Sequence, residues 1–392
     1  MTLIRKLAIE GQDVLGTVQG FLRSLLNQEE IAAVLAPRRL FRKSVVMPAL
    51  ITDSDGLRDV DPLAPAFFLN AATLAARLTR RPSGRKMAIV LRPCEIRAFI
   101  ELVKFRQGTM DDILLIGLDC LGAYPNTVYR RLAADPESAT LKFFFAALSG
   151  AAEAFEGAAL APACRVCEHP FPDGADIALN FIGLSPLDYL LVQGQTPKAE
   201  AYLKHPEFQP AEIPASRDEA VSALISARVQ ARDAMIRQTH EATDTPEKLS
   251  DYLSGCVNCY NCRNACPICY CRECVFCTDA FDREPFQYLQ RAERSGAIKL
   301  PMDTVMYHLT RLTHMSTSCV GCGQCSNACP NDIPVMELFR ATAHFTQKAF
   351  GYEAGRSVSE PPPLSVFQEQ EFTDIVGLKR RSGGAPSGGN AS

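Results

Sequence analysis

Two stretches of the chain place four cysteines at the same spacing and end in proline. The first runs from Cys256 to Pro267 and the second from Cys319 to Pro330, both as C-x2-C-x2-C-x3-C-P. Each cysteine of the second stretch follows its counterpart by 63 positions (319 − 256 = 63). This run is typical of [4Fe–4S] binding, since three thiolates hold one cubane and the fourth reaches the other. The repeat therefore predicts two [4Fe–4S] clusters and one-electron transfer.

The crossed pattern assigns each thiolate to a cluster. We expect the first cluster to be bound by Cys256, Cys259, Cys262 and Cys329, and the second by Cys319, Cys322, Cys325 and Cys266. An alternative is a pair of structural zinc sites, because zinc proteins also use C-x2-C pairs. Zinc sites seldom use three cysteines at this spacing followed by x3-Cys-Pro, and here the pattern occurs twice, so iron–sulfur clusters are favoured.

The segment between the two stretches has a helical pattern. Apolar residues recur at helical spacing in 285–295 and 302–315, and again in 335–350 after the second stretch. Compact ferredoxins separate the two copies by fewer residues. This part of the chain instead resembles the α-helical ferredoxin modules of succinate dehydrogenase and heterodisulfide reductase subunits.

Four further cysteines follow the first stretch directly. They are Cys269, Cys271, Cys274 and Cys277. Their spacing is not that of a standard cubane, so two interpretations stay open. They could bind a further metal centre, or some could be buried thiols that pack beside the first cluster.

The N-terminal half of the chain contains four cysteines, Cys94, Cys120, Cys164 and Cys167. Apolar runs at 87–91 and 113–118 flank a helical pattern at 95–105, and this order predicts a parallel β-α-β unit. Cys94 and Cys120 then follow the carboxyl ends of neighbouring strands, the edge where open α/β sheets bind ligands. With the C-x2-C pair, four thiolates suffice for a third [4Fe–4S] cluster. The alternative is two packing residues and a redox dithiol.

The composition argues against several classes of function. The 392 residues are 47% apolar and 22% charged with a net charge of −3, as in a globular protein with a sizeable core. The sequence has no Lys/Arg stripe interleaved with aromatic residues, so it does not predict nucleic-acid binding. The most apolar stretch, 143–160, is too interrupted by glutamates to predict a transmembrane segment. The first residues lack a secretion signal and the cysteines are too closely spaced for many disulfides, so we expect a reducing cytoplasm.

Three separated motifs of the N-terminal half resemble one protein family. They are VLRPCEIRA at 90–98, LIGLDCLG at 115–122, and ACRVC at 163–167 followed by GADI at 174–177. Together they are similar to the beta-subunit family of deazaflavin (F-420)-reducing hydrogenases and formate dehydrogenases, over roughly residues 40–195. The resemblance implies a domain that binds FAD and an iron–sulfur centre. It also implies that the partners are other redox subunits of a multiprotein complex.

The residues themselves give less support for FAD, because no GxGxxG fingerprint occurs. The candidate flavin contacts are Arg92, Pro93, Glu95 and Arg97, in a loop that opens a helix and could hold phosphate through backbone N–H groups. The alternative is that these arginines are solvated or paired with Glu95 or Glu101. The sequence provides no candidate for a catalytic acid or base, and the acceptor stays open among deazaflavin, NAD, ferredoxin and a partner's flavin.

These patterns predict two domains and a tail. Residues 1–225 form the flavin and iron–sulfur domain, α+β or α/β with a mostly parallel sheet, and 226–352 form an all-α ferredoxin domain. Residues 353–392 form an extended or disordered tail whose apolar residues, Leu364, Val366, Phe367 and Phe372, could dock on another subunit. The expected function is a flavin- and iron–sulfur-containing oxidoreductase subunit. The alternatives are a flavin-free electron-transfer adaptor and a zinc-dependent scaffold.

Overall fold

The computed structural model describes residues 3–40, 44–133, 136–150, 157–184, 187–204, 208–271 and 273–366. Its strands are β1 (Leu3–Ala8), β2 (Ile31–Leu40), β3 (Val45–Ile51), β4 (Lys86–Leu91), β5 (Ile113–Leu118), β6 (Ile177–Asn180), β7 (Tyr189–Gly194) and β8 (Gln209–Pro210). Its helices are α1 (Val14–Leu26), α2 (Ala72–Thr79), α3 (Pro93–Lys104), α4 (Asn126–Leu132), α5 (Pro136–Leu148), α6 (Pro162–Arg165), α7 (Pro197–Glu200), α8 (Ala215–Thr243), α9 (Pro246–Tyr252), α10 (Asn261–Ala265), α11 (Pro285–Ser295), α12 (Thr304–Met315), α13 (Gln324–Asn327) and α14 (Val335–Ala349). The strands therefore all lie in the N-terminal half of the described chain, and the part after β8 is helical.

The described strands form one mixed sheet in the order β3-β2-β4-β5-β6-β7-β1-β8. The pairs β2·β4, β4·β5 and β5·β6 are parallel, whereas the outer pairs are antiparallel. The expectation of a mostly parallel sheet is therefore wrong. The connections from β2 to β3 and from β6 to β7 are short, and short connections join antiparallel neighbours, whereas parallel neighbours need a longer crossover.

The β-α-β unit predicted from the apolar runs is confirmed in β4, α3 and β5. Strands β4 and β5 are parallel neighbours in the middle of the sheet. All of β5 and all of β4 except Lys86 are buried. A strand buried on both faces needs a continuous apolar run, which is the pattern that the sequence shows at both strands.

The sheet has a separate hydrophobic core on each face. One core combines α1 with residues such as Val90, Ile116 and Leu179. The other combines α2 and α3 with residues of the helical C-terminal part, among them Tyr307 and Phe339. The two halves of the chain therefore share one core. Position 225 lies inside the continuous helix α8, and the division at 225/226 stays a prediction.

The start of the tail is packed against the sheet domain. Ala354 is buried, the Gly355 N–H donates to Glu101 Oε1 at 2.8 Å, and the Tyr352 hydroxyl contacts the same carboxylate at 2.5 Å. Leu364 is exposed. Val366 is exposed as well. Phe367, Phe372 and the other residues from 367 onward lie outside the described residues. Among the described helices, none combines the length and the apolar character that a bilayer-spanning segment needs.

Candidate iron–sulfur centres

The backbone repeats its conformation in the two cysteine stretches. Asn258 and Tyr260 have φ values of 49° and 59°, and their counterparts Gly321 and Gly323 have 68° and 76°. Left-handed residues let a short loop curl into a concave nest that surrounds a compact group. Each loop then enters a short helix, α10 in the first stretch and α13 in the second.

The second copy needs glycine for space as well as for conformation. A Cβ on Gly323 would lie 2.4 Å from Cβ of Ala163, and one on Gly321 would lie 2.3 Å from the Arg340 side chain. Ala163 belongs to α6 in the N-terminal half. Gly323 thus allows the second cysteine loop to pack directly on α6.

The four thiols predicted to bind the first cluster line one cavity, which we call the first site. It is formed by Cys256, Cys259, Cys262 and Cys329, with Tyr260, Tyr307 and His308 in its wall. Cys256 and Cys262 are buried, whereas Cys259 is exposed. Burial raises the pKa of Cys256, and the nearby thiolates of Cys262 and Cys329 raise it further. The structure therefore brings the distant Cys329 to the first cysteine stretch.

The thiols predicted for the second cluster also lie together, and we call this group the second site. It comprises Cys319, Cys322, Cys325 and Cys266. Burial raises the pKa of Cys319, Cys322 and Cys325, and the Cys266 thiolate lies close enough to raise each of them further. Cys266 comes from the first cysteine stretch, so the two stretches exchange one thiol each.

The four cysteines of the N-terminal half line a single cavity at the carboxyl edge of β4 and β5, the third site. It comprises Cys94, Cys120, Cys164 and Cys167, and Cys322 of the second site also lines it. Burial raises the pKa of Cys164 to about 12, and the thiolates of Cys120 and Cys167 contribute to the rise. Burial likewise raises the pKa of Cys94, with Cys322 as the next contributor. The third and second sites are therefore neighbours.

The donor sets fit iron–sulfur clusters chemically. Thiols that are buried together resist ionisation, because each thiolate would lack solvation and repel the next. A bound metal reverses this, since coordination deprotonates a thiol outright. Among the described residues, no three His, Cys, Asp or Glu side chains converge tightly enough to hold a single metal ion.

The basic environment of the first site supports the same assignment. Arg311 on α12 is 4% exposed, and its Nη1 donates to Cys262 Sγ at 3.0 Å. Within the described residues it forms no salt bridge to a carboxylate, although a buried guanidinium needs a counter-charge. Burial disfavours the cation, but the negative charges of Cys262, Tyr307, Cys266 and Cys325 together more than offset this, and the pKa of Arg311 is raised. The expected counter-charge is the anionic, thiolate-bound cluster.

The residues predicted to contact FAD have protein partners. Pro93 and Glu95 lie in the first turn of α3, where the Glu95 carboxylate accepts the N–H groups of Arg92 and Ala71 at 2.9 and 2.7 Å. Arg92 Nη2 donates to the Ala64 carbonyl at 2.9 Å. These contacts stabilise the first turn of α3. Binding of FAD by Arg92, Pro93, Glu95 and Arg97 stays a prediction.

Arg97 points to the C-terminal half of the chain. Its Nη1 donates to the Val320 carbonyl at 3.4 Å, and its Nη2 lies 3.7 Å from Glu353. The alternative pairing with Glu101 does not form, because Glu101 instead pairs with Lys104 at 2.9 Å. Arg97 therefore connects the sheet domain to the second cysteine loop.

The four additional cysteines differ in their exposure. Burial raises the pKa of Cys269 to about 11, with Cys266 and Cys271 as neighbours. Cys271 and Cys277 are exposed, and Arg263 Nη1 lies 3.6 Å from Cys277 Sγ. Phe276 is buried between Phe281 and Tyr307. The packing of Phe276 anchors the segment beside the first site, and a further metal centre here stays a prediction.

A crevice of about 440 Å³ separates the sheet domain from the cysteine loops. One thiol from each site lines it, namely Cys329, Cys322 and Cys164. Its polar wall includes Asn126, whose buried side-chain oxygen has no hydrogen-bond partner among the residues that the structure describes. Gln324 and Asn327 close one end by donating to the Phe67 carbonyl at 2.9 and 3.0 Å. Pockets of roughly 300–1,000 Å³ are typical of small-molecule and cofactor sites.

Helix α8 holds the third site in place. Asp119, next to Cys120, forms a bidentate ion pair with Arg217 at 2.6 and 3.0 Å and accepts the N–H groups of Phe181 and Ile182. Further along α8, Arg228 Nη1 donates to the Cys167 carbonyl at 3.4 Å. One helix therefore positions both the sheet-edge cysteine and the C-x2-C pair.

Several residues of these sites were not identified from the sequence. They are Tyr307, His308 and Arg311 at the first site and Phe67, Asn126, Gln324 and Asn327 at the crevice. The positions 307, 308 and 311 share one helical face, and that spacing could have identified them. The crevice residues come from segments far apart in the chain, and no local pattern indicates them.

The chain is similar in sequence to several known proteins. The family model for a 4Fe-4S binding domain matches residues 313–335, which contain the second cysteine stretch. The F420-dependent formate dehydrogenase subunit beta of Methanocaldococcus jannaschii is 26% identical over 379 residues, covering 90% of this chain and 94% of that protein. The F420-dependent formate dehydrogenase 1 subunit beta of Methanococcus maripaludis is 27% identical over 377 residues, covering 89% and 92%.

Among solved structures, a chain of the F420-reducing [NiFe] hydrogenase complex from Methanosarcina barkeri aligns with a TM-score of 0.44 and 12% identity, covering 62% of this chain and 94% of that one. The two sequence relatives align over nearly the whole of both chains, so the likeness extends well beyond the three N-terminal motifs. The resemblance predicted from those motifs is thereby confirmed, and this chain is a relative of the beta subunits of F420-dependent formate dehydrogenase that carries a 4Fe–4S binding domain.

Proposed function

We propose that the protein is the electron-transfer subunit of a multisubunit oxidoreductase that binds FAD and three [4Fe–4S] clusters. FAD would exchange hydride with a mobile carrier, and the clusters would carry single electrons. The observation that supports this most directly is the crevice, because Cys164, Cys322 and Cys329 line it. A flavin held there would lie beside every predicted cluster.

Three features of the crevice favour a flavin over a crevice filled only with water. Its volume is in the range of cofactor pockets, the Asn126 side-chain oxygen is a buried acceptor without a partner, and Phe67, Tyr124 and Met336 offer apolar surface. A ligand N–H group would satisfy Asn126. Burial raises the pKa of Glu337 at the far wall, so this side chain carries a proton more readily than a surface glutamate.

The order of the sites indicates the path of the electrons. Cys94 and Cys322 are close enough for each charge to affect the other, which connects the third and second sites. Arg311 is close to Cys262 of the first site and to Cys266 and Cys325 of the second. The exposed Cys259 lies at the outer end of this path. The chain of sites therefore runs from the sheet edge to the surface.

The names of the sequence relatives suggest the outer reactants. Both are beta subunits of formate dehydrogenases that depend on F420, a deazaflavin. We propose a deazaflavin as the hydride carrier, a formate-oxidising subunit as the partner, and the cytoplasm as the location. NAD, ferredoxin and a partner's flavin remain the other acceptors to test.

The second candidate function is a flavin-free adaptor that only connects a catalytic partner to its acceptor. The hydrogen bonds of Arg92, Glu95 and Arg97 favour it, because these side chains already have partners elsewhere in the protein. Iron–sulfur electron transfer is common to both functions. Flavin content distinguishes them.

Flavin analysis of the anaerobically purified protein tests the proposal. We expect about one FAD per chain together with about twelve iron atoms, four for each cubane. The Ala161→Phe variant should lower the FAD content several-fold, because the ring would fill the crevice that Ala161 lines. The matched control is Ala159→Phe, two positions away and exposed, which should retain FAD.

Two results would decide against this flavin site. A protein with full iron content and no FAD would leave only the adaptor function. If Ala161→Phe retains FAD and Arg92→Gln loses it, the flavin is bound at the sheet edge instead of the crevice. Activity with deazaflavin, NAD and ferredoxin, measured with the same preparation, would identify the acceptor.

The crossed assignment of the ligands predicts paired effects. Cys329 belongs to the second stretch, yet we expect Cys329→Ser to damage the first cluster. Its EPR spectrum should match that of Cys256→Ser. Cys266→Ser should instead match Cys322→Ser. The reason is that Cys329 lines the first site and Cys266 lies among the thiols of the second. Spectra in which Cys329→Ser matches Cys322→Ser would show that each stretch binds its own cluster.

A further inference from the structure

Arg311 makes two contacts with Cys262 from inside the protein. Its Nη1 donates to Cys262 Sγ at 3.0 Å and its Nη2 to the Cys262 carbonyl at 3.2 Å. The guanidinium carbon lies 4.7 Å from the Phe339 ring centre and 5.5 Å from that of Tyr307. Two aromatic rings within cation–π distance and the two hydrogen bonds to Cys262 restrict the orientation of the planar group.

Two neighbouring residues on α12 contact the same site. The Tyr307 hydroxyl lies 3.4 Å from Cys262 Sγ, and His308 Nε2 lies 3.4 Å from Cys256 Sγ. The Asn258 N–H also donates to Cys256 Sγ at 3.4 Å. The first site therefore has polar side chains within 3.4 Å of two of its four sulfurs. Arg311 has no carboxylate partner among the described residues, and Lys299 is a second cation near Cys256.

The second site is surrounded differently. Cys319 and Cys322 accept backbone N–H groups, from Gly321 and Gln324, and the Asn70 side chain also lies near Cys322. The cations near Cys319 are Arg97 and Arg340, and each of them faces a carboxylate. The carboxylates are Glu353 for Arg97 and Glu168 for Arg340. Their charges are therefore largely cancelled, whereas that of Arg311 is not.

Arg311 also lies closer to one site than to the other. It is hydrogen-bonded to Cys262 of the first site, whereas its effect on Cys266 and Cys325 of the second is through space. A positive charge and hydrogen bonds to sulfur stabilise the more negative, reduced form of a cluster, and so raise its reduction potential. The effect falls with distance.

We propose that Arg311 sets the reduction potential of the first cluster above that of the second, so that an electron in the ferredoxin part of the chain settles at the first site. This rests on the proposed function, since it requires both clusters. Arg311 is a positioning residue that acts through Cys262. The step is a one-electron reduction in which no bond is made or broken. The first site, with the exposed Cys259, is then the end of the path at which a partner protein exchanges electrons.

An EPR-monitored redox titration of the full chain tests this, with dithionite as reductant and mediator dyes. In the wild-type protein we expect the first cluster to be reduced first, its signal being identified by its absence in Cys256→Ser. In Arg311→Gln the potential of the first cluster should fall by at least a tenfold change in its reduction equilibrium, about 59 mV for one electron. The second cluster should shift less.

Two variants serve as controls for the charge. Arg291→Gln removes an exposed arginine from α11 and should change neither potential. Arg311→Lys retains the charge without the planar two-point contact, and should give a smaller fall than Arg311→Gln. If Arg311→Gln cannot retain the first cluster, the wild-type order and the lysine variant still decide the question.

The outcomes separate this inference from the proposed function. If iron content and EPR show that the wild-type protein does not hold two clusters, the proposed function itself is wrong. Two intact clusters with the second reduced first, or an unchanged difference between the potentials in Arg311→Gln, overturn the role of Arg311 alone. A larger shift at the second cluster would also overturn it.

Discussion

The Cys256→Ser variant is expected to lose the first cluster and to stop electron transfer out of the ferredoxin part of the chain. Cys256 is buried beside Cys262 and Cys329, and a serine hydroxyl is a much poorer ligand for iron than a thiolate. Iron should fall from about twelve to about eight atoms per chain, since one cubane holds four. Iron and sulfide analysis, together with stopped-flow reduction by dithionite, measures both effects.

The matched control for this variant is Val358→Ser, which places the same hydroxyl at a position outside the three sites. Val358 is 44% exposed, so this variant should retain full iron content and wild-type kinetics. FAD content should be unchanged in both variants, because neither position lines the crevice. A Cys256→Ser protein with wild-type iron and electron transfer would refute the assignment of this residue.

The Arg217→Ala variant should lower the free energy of unfolding by about 3–5 kcal/mol and empty the third site. Arg217 is the buried partner of Asp119, and its removal leaves an unpaired carboxylate at the sheet edge. Asp119 precedes Cys120, so relaxation of the carboxylate towards water moves a predicted cluster ligand. Urea unfolding followed by circular dichroism gives the stability, and iron analysis gives the loss of the cluster.

Two comparisons separate the charge effect from a general weakening of α8. Lys248→Ala removes an exposed ion pair with Asp244 just after this helix, and such pairs contribute about 0–1 kcal/mol. The double variant Asp119→Asn with Arg217→Met removes both charges and should recover part of the lost stability. Equal destabilisation by Arg217→Ala and Lys248→Ala would show that the buried pair has no special role.

Local patterns predicted the chemistry and part of the fold. The cysteine spacing predicted the thiols that line the first site, because ligand spacing is a property of a short loop. Cys94 and Cys120, which line the third site, were predicted instead from their place after two neighbouring strands. The apolar runs located β4 and β5 to within one residue, since a strand buried on both faces has a continuous apolar sequence. The pattern at 285–295 coincides with α11 for the corresponding reason, a regular helical period.

The arrangement of these pieces was not predictable in the same way. The outer strands pair antiparallel, and the two halves of the chain share a core instead of packing as separate units. Gln324 bonds to Phe67 across 257 positions, and Arg97 to Val320 across 223. The crevice and the charge of Arg311 at the first site likewise depend on which elements become neighbours. Spacing along the chain specifies which atoms a short loop presents to a metal, whereas contacts between distant segments arise only when the whole chain buries its apolar surface.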